Sequence, residues 1–570
     1  MDNRKLHYLA LAGVVSLGAV LRLGNLDGKF LWLDEVITAI FSLGRNYNNV
    51  PLEVVIPFHQ LQQIFTFQPE TSCTQIAANL ALQSTHPPLF FCLLHSWFGV
   101  VNPISPSWVW TLRAFSVFCG TSEVAAIYLL NTKAFSRSAG LMAAVMMAVS
   151  PFGVYLSQEA RHYTLPVLLI TLALLGLIQI QQDIASKRVR FGVWLFWVIV
   201  NIIGQYVHYF FILAIVAQVW TLLMLMYGHR RNLARYSKLA FTLAILAIIV
   251  SFIPWFPILV SHFTRPETSW IPSPHNVAPL YQIFASWLLM IVALPVESQP
   301  IEIAILSGLG VLIFGSWVLW LSFKGIKHLW RSPITNLSTF TLASFTVVVL
   351  LEFLVIVYFL GKDITITPRY NFVYYPGLLA LIAAGLNASL YGKKQKLVVS
   401  RNNTRLNNVW FSLLDKKPNQ VFILIFLSSL LSCTLVIFNF VFQKPYNPQQ
   451  FAQIINQEPA IPIIVVMGYK DYQNVALGLS FALALEKVRN SSNGDFVFSE
   501  RSPNGYESVW QKLELLPPLK APSLNLWVIA PDLRRREYPH HLALSGHFCV
   551  MDAQQHYRIG IPYQLYRCKN

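Results

Sequence analysis

The sequence predicts a mainly α-helical, polytopic membrane bundle of about eleven spans, with interfacial helices and a small C-terminal α/β domain. Three observations lead there. Of 570 residues, 55% are hydrophobic and only 12% are charged, against about 25% charged in soluble globular chains. The mean hydropathy of +0.51 describes more apolar surface than a soluble fold can hide. Apolar runs of spanning length recur along most of the chain, separated by short basic loops.

The runs long enough to cross a bilayer lie near 6–23, 108–130, 139–157, 162–181, 191–204, 206–227, 238–260, 301–323, 338–360, 371–391 and 421–442. The first follows Arg4 and Lys5, but no small-residue cleavage site comes after it and Arg22 sits near its far end. It is therefore expected to be an uncleaved span rather than a signal peptide. Two shorter apolar stretches, 87–101 and 279–295, remain to be placed.

Charge places them. The net charge of +17 is distributed over Lys133 and Arg137, then Lys187, Arg188 and Arg190, then Arg230, Arg231, Arg235 and Lys238, then Lys324, Lys327 and Arg331, and finally Lys393 to Lys417. If neither short stretch crosses, all of these clusters fall on the side of Arg4 and Lys5, as cytoplasmic loops should. The expected topology has the N-terminus inside, the C-terminus outside, and the two short stretches as interfacial helices. Basic clusters between spans, with no stripe on a soluble domain, argue against a nucleic-acid partner. The 16 Trp residues suit the membrane-water interface.

The topology leaves a first outer loop over 24–107, too long for a simple connector. The expected division is a multi-span domain over 1–443, including that loop, and an outer domain over 444–570. In the latter, Ile461–Val466 and Leu524–Ile529 read as strands, Val475–Val488 as a helix, and the stretch from His547 to about Tyr566 as further strands. It contains no GxGxxG, no GxxxxGK[ST] and no recurring period. Six cysteines make no disulfide framework, and no CxxC spacing suggests a metal site. Cys119 and Cys433 lie in apolar runs and read as inert packing residues. Cys549 and Cys568 can pair if the C-terminal part is outside the cytoplasm.

With sides assigned, polar residues gather at the outer ends of spans. They are Asp34 and Glu35 ahead of a helical run over Val36 to Leu43, His86 before Pro87 and Pro88, the run Gln158-Glu159-Ala160-Arg161-His162-Tyr163, the set Tyr206, His208 and Tyr209, and Arg369 with Tyr370. Each has a plain alternative. Asp34 can N-cap the following helix, His86 can mark a helix entry, Arg161 and Arg369 can snorkel to headgroups, and His208 can be a packing histidine. Five distant segments carrying such groups at one bilayer level argue for a site. Two arginines there suit an anion at headgroup depth, and a carboxylate such as Asp34 suits proton abstraction. Neighbouring helical residues do not share a face, so Glu35 should have a different task, orienting a substrate group. A divalent cation, which wants oxygen ligands in a near-octahedral arrangement, is a weaker alternative that stays open, since beyond Asp34 and Glu35 only Glu159 is an obvious carboxylate there and the arginines can supply the positive charge instead.

These segments resemble the membrane-embedded GT-C glycosyltransferases, above all family 39, which includes protein mannosyltransferases and the aminoarabinose transferases of lipid A. The resemblance rests on Leu33-Asp34-Glu35, His86-Pro87-Pro88-Leu89, Ser157 to Tyr163, Tyr206-Val207-His208-Tyr209 and Pro368-Arg369-Tyr370, and covers most of residues 1 to 443. It implies a polyprenyl-phosphate sugar donor, transfer to a lipid, glycan or protein acceptor with inversion, and Asp34 as the catalytic base. It also implies a bacterial plasma membrane with the site facing outward. The aminoarabinose enzymes carry Lys where this chain has His86, which sets that substrate apart. The substrate-binding set is then His86, Gln158, Glu159, Arg161, Tyr163, His208, Tyr209, Arg369 and Tyr370. A transporter or lipid flippase is the rival from another class, but such proteins place their sites near the midplane, often between repeated halves. A sensor that merely displays the C-terminal domain would not need Asp34 and Glu35 together with two arginines.

Overall fold

The computed structural model describes residues 3–231, 233–265, 271–396, 418–489, 494–503, 505–517 and 521–569. The chain divides into two compact units, one of Met1–Leu26 with Arg113–Phe442 and one of Asp27–Leu112 with Gln443–Asn570. The grouping therefore differs from a cut at 443. The first outer loop and the C-terminal segment make one unit because they share a sheet, as described below.

The first unit is helical. Among the described residues, eight helices are long and apolar enough to cross a membrane: Arg4–Leu23, Trp108–Ala134, Thr164–Ala185, Phe211–Gly228, Arg235–Phe263, Ile301–Arg331, Asn336–Tyr358 and Pro418–Ile437. Three of the eleven expected spans differ. The stretch 139–157 is two helices, Arg137–Ala148 and Pro151–Ser157, bent by 58°. Phe191–Val207 and Tyr375–Tyr391 are shorter apolar helices. The second short stretch forms Ala278–Leu289, and the last basic cluster lies, from 397 to 417, outside the described residues.

The bend has a local cause. Pro151 follows Val149 and Ser150, and proline cannot donate into the preceding turn. Ser150 instead caps the new helix, its Oγ accepting from the Gly153 amide at 3.4 Å. The break leaves the Met147 and Ala148 carbonyls without helical partners, and the buried Arg22 guanidinium donates to both, at 2.9 and 3.1 Å. In an apolar surround such a carbonyl must find a donor.

Helices Ile301–Arg331 and Tyr375–Lys396 approach with backbones nearly touching, since a side chain on Gly325 would meet the Gly385 carbonyl. Small residues permit the close packing that holds helices together in lipid. Burial separates central from peripheral helices. In the apolar window of Thr164–Ala185, 78% of residues are buried within the protein, against 17% for Ile301–Arg331, whose Leu306 and Ile313 are exposed. An exposed apolar face of that extent belongs against lipid.

The second unit is built on a seven-stranded sheet in the order β1-β3-β2-β4-β7-β6-β5. Its strands are β1 Val55–Pro57, β2 Ile463–Tyr469, β3 Gly494–Glu500, β4 Ser523–Ile529, β5 His541–Leu544, β6 His547–Ile559 and β7 Ile561–Lys569. The central β3, β2 and β4 run parallel and are flanked by antiparallel neighbours. The near-continuous apolar run of β2 fits a strand covered on both faces. The expected strands and the helix Tyr472–Val488 are present. β1 comes from the first outer loop, pairing Val55 with Val497 and Pro57 with Asp495.

Cys549 and Cys568, whose pairing the sequence leaves open, stand opposite each other on β6 and β7 and form a disulfide. A second disulfide, Cys73–Cys92, joins the helix Cys73–Gln83 to the apolar helix Leu89–Val101. Cys119 and Cys433 are free and buried in the first unit, as expected of packing residues.

Candidate functional site

In the first unit, the turn after the bent helix pair carries the run 158–163. Gln158 closes a helix end. Its amide donates to the carbonyls of Leu21, Arg22 and Gly24, at 3.5, 3.5 and 2.7 Å. Three residues on, the Arg161 amide bonds to the Glu159 carbonyl at 2.8 Å, and Ser116 Oγ donates to the Arg161 carbonyl at 3.2 Å. This tight turn holds Arg161 and Glu159 in the interior, 3% and 6% exposed.

Two arginines meet at one tyrosine. The Arg161 guanidinium lies 5.7 Å from the centroid of the Tyr163 ring, and Arg369 Nε donates to Tyr163 Oη at 3.0 Å. Arg369 lies on the 3₁₀ segment Pro368–Val373, where Pro368 opens the turn, and its guanidinium is 5.8 Å from the Tyr370 ring. His208 stands between the short helix Phe191–Val207 and Phe211–Gly228. Its ring centroid is 4.5 Å from His162, 4.7 Å from Phe372 and 5.8 Å from Tyr163. His208 Nδ1 accepts from the Phe210 amide at 2.9 Å, which leaves Nε2 to carry the proton of the neutral ring.

Arg161, Tyr163, His208, Arg369 and Tyr370 are thus brought together. His162 and Phe372 complete the cluster. The first was visible in the run 158–163, and the second sits three residues after Arg369 with no polar signal to mark it. Tyr209 faces elsewhere, accepting from Trp255 Nε1 at 2.9 Å and bonding to His262 Nδ1 at 2.8 Å. Two guanidiniums gathered with imidazoles and aromatic rings suit an anion with several oxygens.

In the second unit, Asp34 and Glu35 lie in the first turn of the helix Leu33–Ser42. The N-cap is Trp32, with no side-chain cap bond, so capping does not account for Asp34. The Leu33 amide instead donates to the Tyr446 hydroxyl. Burial first, then the charges of Asp34 and Glu35, push that hydroxyl above its ordinary range, so Tyr446 stays protonated beside the acidic pair. Lys444 Nζ lies 4.1 Å from the Trp32 ring centroid. Glu35 is buried at 1% exposure while Asp34 is half-buried, the difference expected of adjacent helical residues. Tyr446 and Lys444 were beyond sequence reading, for they come 413 and 412 residues after Leu33 and Trp32. His86 is half-buried and bonds through Nδ1 to Ser84 Oγ at 2.9 Å, just ahead of the helix Leu89–Val101. Among the described residues, no group of three or more His, Cys, Asp or Glu is arranged to hold a metal ion.

The chain is similar in fold to ArnT from Cupriavidus metallidurans bound to undecaprenyl phosphate. The TM-score is 0.53 at 13% identity, covering 99% of this chain and 98% of that one. The apo form of the same ArnT gives 0.49 at 12% identity, covering 94% and 97%. An apo Archaeoglobus fulgidus oligosaccharyltransferase gives 0.47 at 12%, covering 84% and 64%. No protein-family model matches the sequence, and no curated protein matches it. The chain shares the fold of ArnT, in agreement with the fold that the resemblance drawn from the motifs implies.

Proposed function

We propose that this protein transfers a sugar from a polyprenyl-phosphate carrier to a hydroxyl-bearing acceptor at the outer face of the membrane. The observation that carries the reading is the convergence of Arg161 and Arg369 on Tyr163. The likeness of fold to a protein bound to undecaprenyl phosphate supports it.

In the proposed reaction, the acceptor oxygen attacks the anomeric carbon, the bond from that carbon to the phosphate oxygen breaks, and the electron pair leaves with the polyprenyl phosphate. Arg161 and Arg369 stabilise the charge that grows on that phosphate. Asp34, the more accessible of the acidic pair, takes the acceptor proton. Glu35 orients a substrate group, and a single displacement inverts the anomeric centre. Tyr163 fixes the Arg369 guanidinium, while His162, His208 and Tyr370 wall the anion site; Glu159 shapes the turn that presents Arg161. Gln158, by its bonds to the first helix, holds that turn. His86 and Tyr209 are kept in the proposed substrate-binding set, the first bonded to Ser84 and the second to His262.

Cysteine usage supports an outward second unit. Both disulfides lie in it and both free thiols in the first unit, and disulfides persist in oxidising compartments.

The test is donor use by protein reconstituted in lipid bilayers with radiolabelled undecaprenyl-phosphate sugars. Arg161→Ala and Arg369→Ala should each lower donor affinity by about a hundredfold, the loss of one charge-assisted phosphate clamp of roughly 2–3 kcal/mol. Unchanged donor affinity in both variants would remove the phosphate from this site.

A further inference from the structure

The helix Ala278–Leu289 has no part in the reading above, yet its Gln282 and Ser286 engage the segment that carries Arg369. Its outward face holds Leu280, Tyr281 and Phe284, exposed at 49, 62 and 39%. Its inward face includes Gln282 and Ser286, one turn apart and so on the same side. Thr365 Oγ1 lies 2.6 Å from Gln282 Oε1 and 2.5 Å from Asp363 Oδ1, its one hydroxyl hydrogen shared between these two acceptors, and Asn371 Nδ2 donates to Ser286 Oγ at 2.8 Å. Thr365 and Asn371 bracket Arg369, the first ahead of the 3₁₀ turn Pro368–Val373 and the second within it.

The bracket is anchored at both ends. Beyond Asn371, the chain returns at once to the helix Tyr375–Lys396. Ahead of Thr365, the buried Asp363 accepts from the Thr365 amide at 3.1 Å, and the Asp363 amide donates to the Pro272 carbonyl at 2.8 Å. The same helix reaches the other arginine-bearing segment, since Ser150 Oγ, at the bend that leads into the 158–163 turn, donates to the Met290 carbonyl at 2.7 Å.

We infer that Gln282 and Ser286 are positioning residues for Arg369, a two-point clamp from the Ala278–Leu289 helix that fixes the guanidinium against Tyr163. This rests on the reading of Arg369 as a holder of the donor phosphate. A short 3₁₀ turn has weak internal hydrogen bonds, so its geometry depends on such outside partners. An arginine held in place loses less freedom when it binds an anion, and the clamp therefore appears as affinity.

The experiment uses the full chain in lipid nanodiscs and undecaprenyl phosphate as the probe. The double variant Gln282→Leu/Ser286→Ala should weaken its binding about five- to tenfold, the effect of roughly one net hydrogen bond. Ser286→Thr, which keeps the hydroxyl, should bind as wild type does. In an Arg369→Ala background the double variant should cost nothing further, because the group it positions is gone. The same loss in both backgrounds, or unchanged binding in the double variant, overturns the clamp. If Arg369→Ala itself binds normally, the phosphate reading has failed and the clamp with it, a result distinct from failure of the clamp alone. Should the double variant not insert, Thr365→Val breaks the same contact from the opposite side and carries the same expectations.

Discussion

The proton acceptor gives the sharpest test of the proposed chemistry. Asp34→Asn replaces an ionised carboxylate by an amide of the same shape, so the structural cost can be separated from the chemical one. Asp34 lies in the first helical turn, half-buried, and its side chain is not the helix cap. The helix dipole contributes about 0.3–1 kcal/mol to the interactions of its charge. Loss of a general base costs far more in rate, about 10²–10⁴-fold, or roughly 3–5 kcal/mol of barrier. The variant should melt within a few degrees of the wild type, insert normally and bind undecaprenyl phosphate unchanged, while sugar transfer falls by about a hundredfold or more. Single-turnover transfer in reconstituted membranes, beside a melting curve, measures both quantities. Glu35→Gln is the contrasting variant. Glu35 is buried, so that change should disturb stability and affinity before it touches the chemical step. Full-rate transfer by the Asn variant would end the assignment of Asp34 as base.

Three further outcomes test the framework. Reducing the Cys73–Cys92 bridge, or replacing both residues by Ser, should destabilise the second unit by about 3 kcal/mol on loop-entropy grounds, read as an earlier transition in a melting curve with and without reductant. Asp532 is held below the usual carboxylate range by its hydrogen bond to Arg501, and Glu458 by its bond to Arg567. A depressed carboxyl stabilises the fold above its unfolded value and loses that contribution as pH falls, so the second unit should weaken below about pH 4.5, and Arg501→Gln should remove part of that dependence without adding any at neutral pH. For sidedness, a Cys at Ser273 should react with a membrane-impermeant maleimide added from outside and one at Ile334 should not, and the opposite pattern inverts the topology.

Much of this molecule was legible in its sequence because two strong signals carry it. Apolar length marks the spans, and the clustering of Lys and Arg assigns sides to their loops. The bend at Val149–Ser150 was not read, although Ser150-Pro151 announces it, because hydropathy averages across a break. The site was legible in parts for a similar reason. Arg161, Tyr163, His208 and Arg369 stand out as polar residues in apolar company, whereas Phe372 has nothing to distinguish it from a lipid-facing ring. β1 escaped notice because Val55–Pro57 is three residues long, too short for alternation to register, and its partner β3 is more than four hundred residues away. Tyr446 was hidden by the same distance.

Two helix ends near the arginine turn complete each other, and this explains why so polar a turn tolerates its surroundings. The helix Asn3–Leu23 ends with its carbonyls unmatched, as every helix does, and Gln158 supplies donors to Leu21, Arg22 and Gly24. That helix in turn supplies Arg22, which closes the end of Arg137–Ala148 and donates from Nε to Ser157 Oγ at 3.1 Å. Arg22 thus bonds the residue before Gln158, and Gln158 bonds the carbonyl of Arg22, so neither end can shift without exposing polar backbone to an apolar interior. Each unmatched group there costs several kcal/mol, more than any gain from relaxing the turn. Arg161, three residues beyond Gln158, inherits a fixed backbone from this exchange. A fixed guanidinium needs no reorganisation when charge develops beside it, which is the condition under which electrostatic stabilisation is most effective.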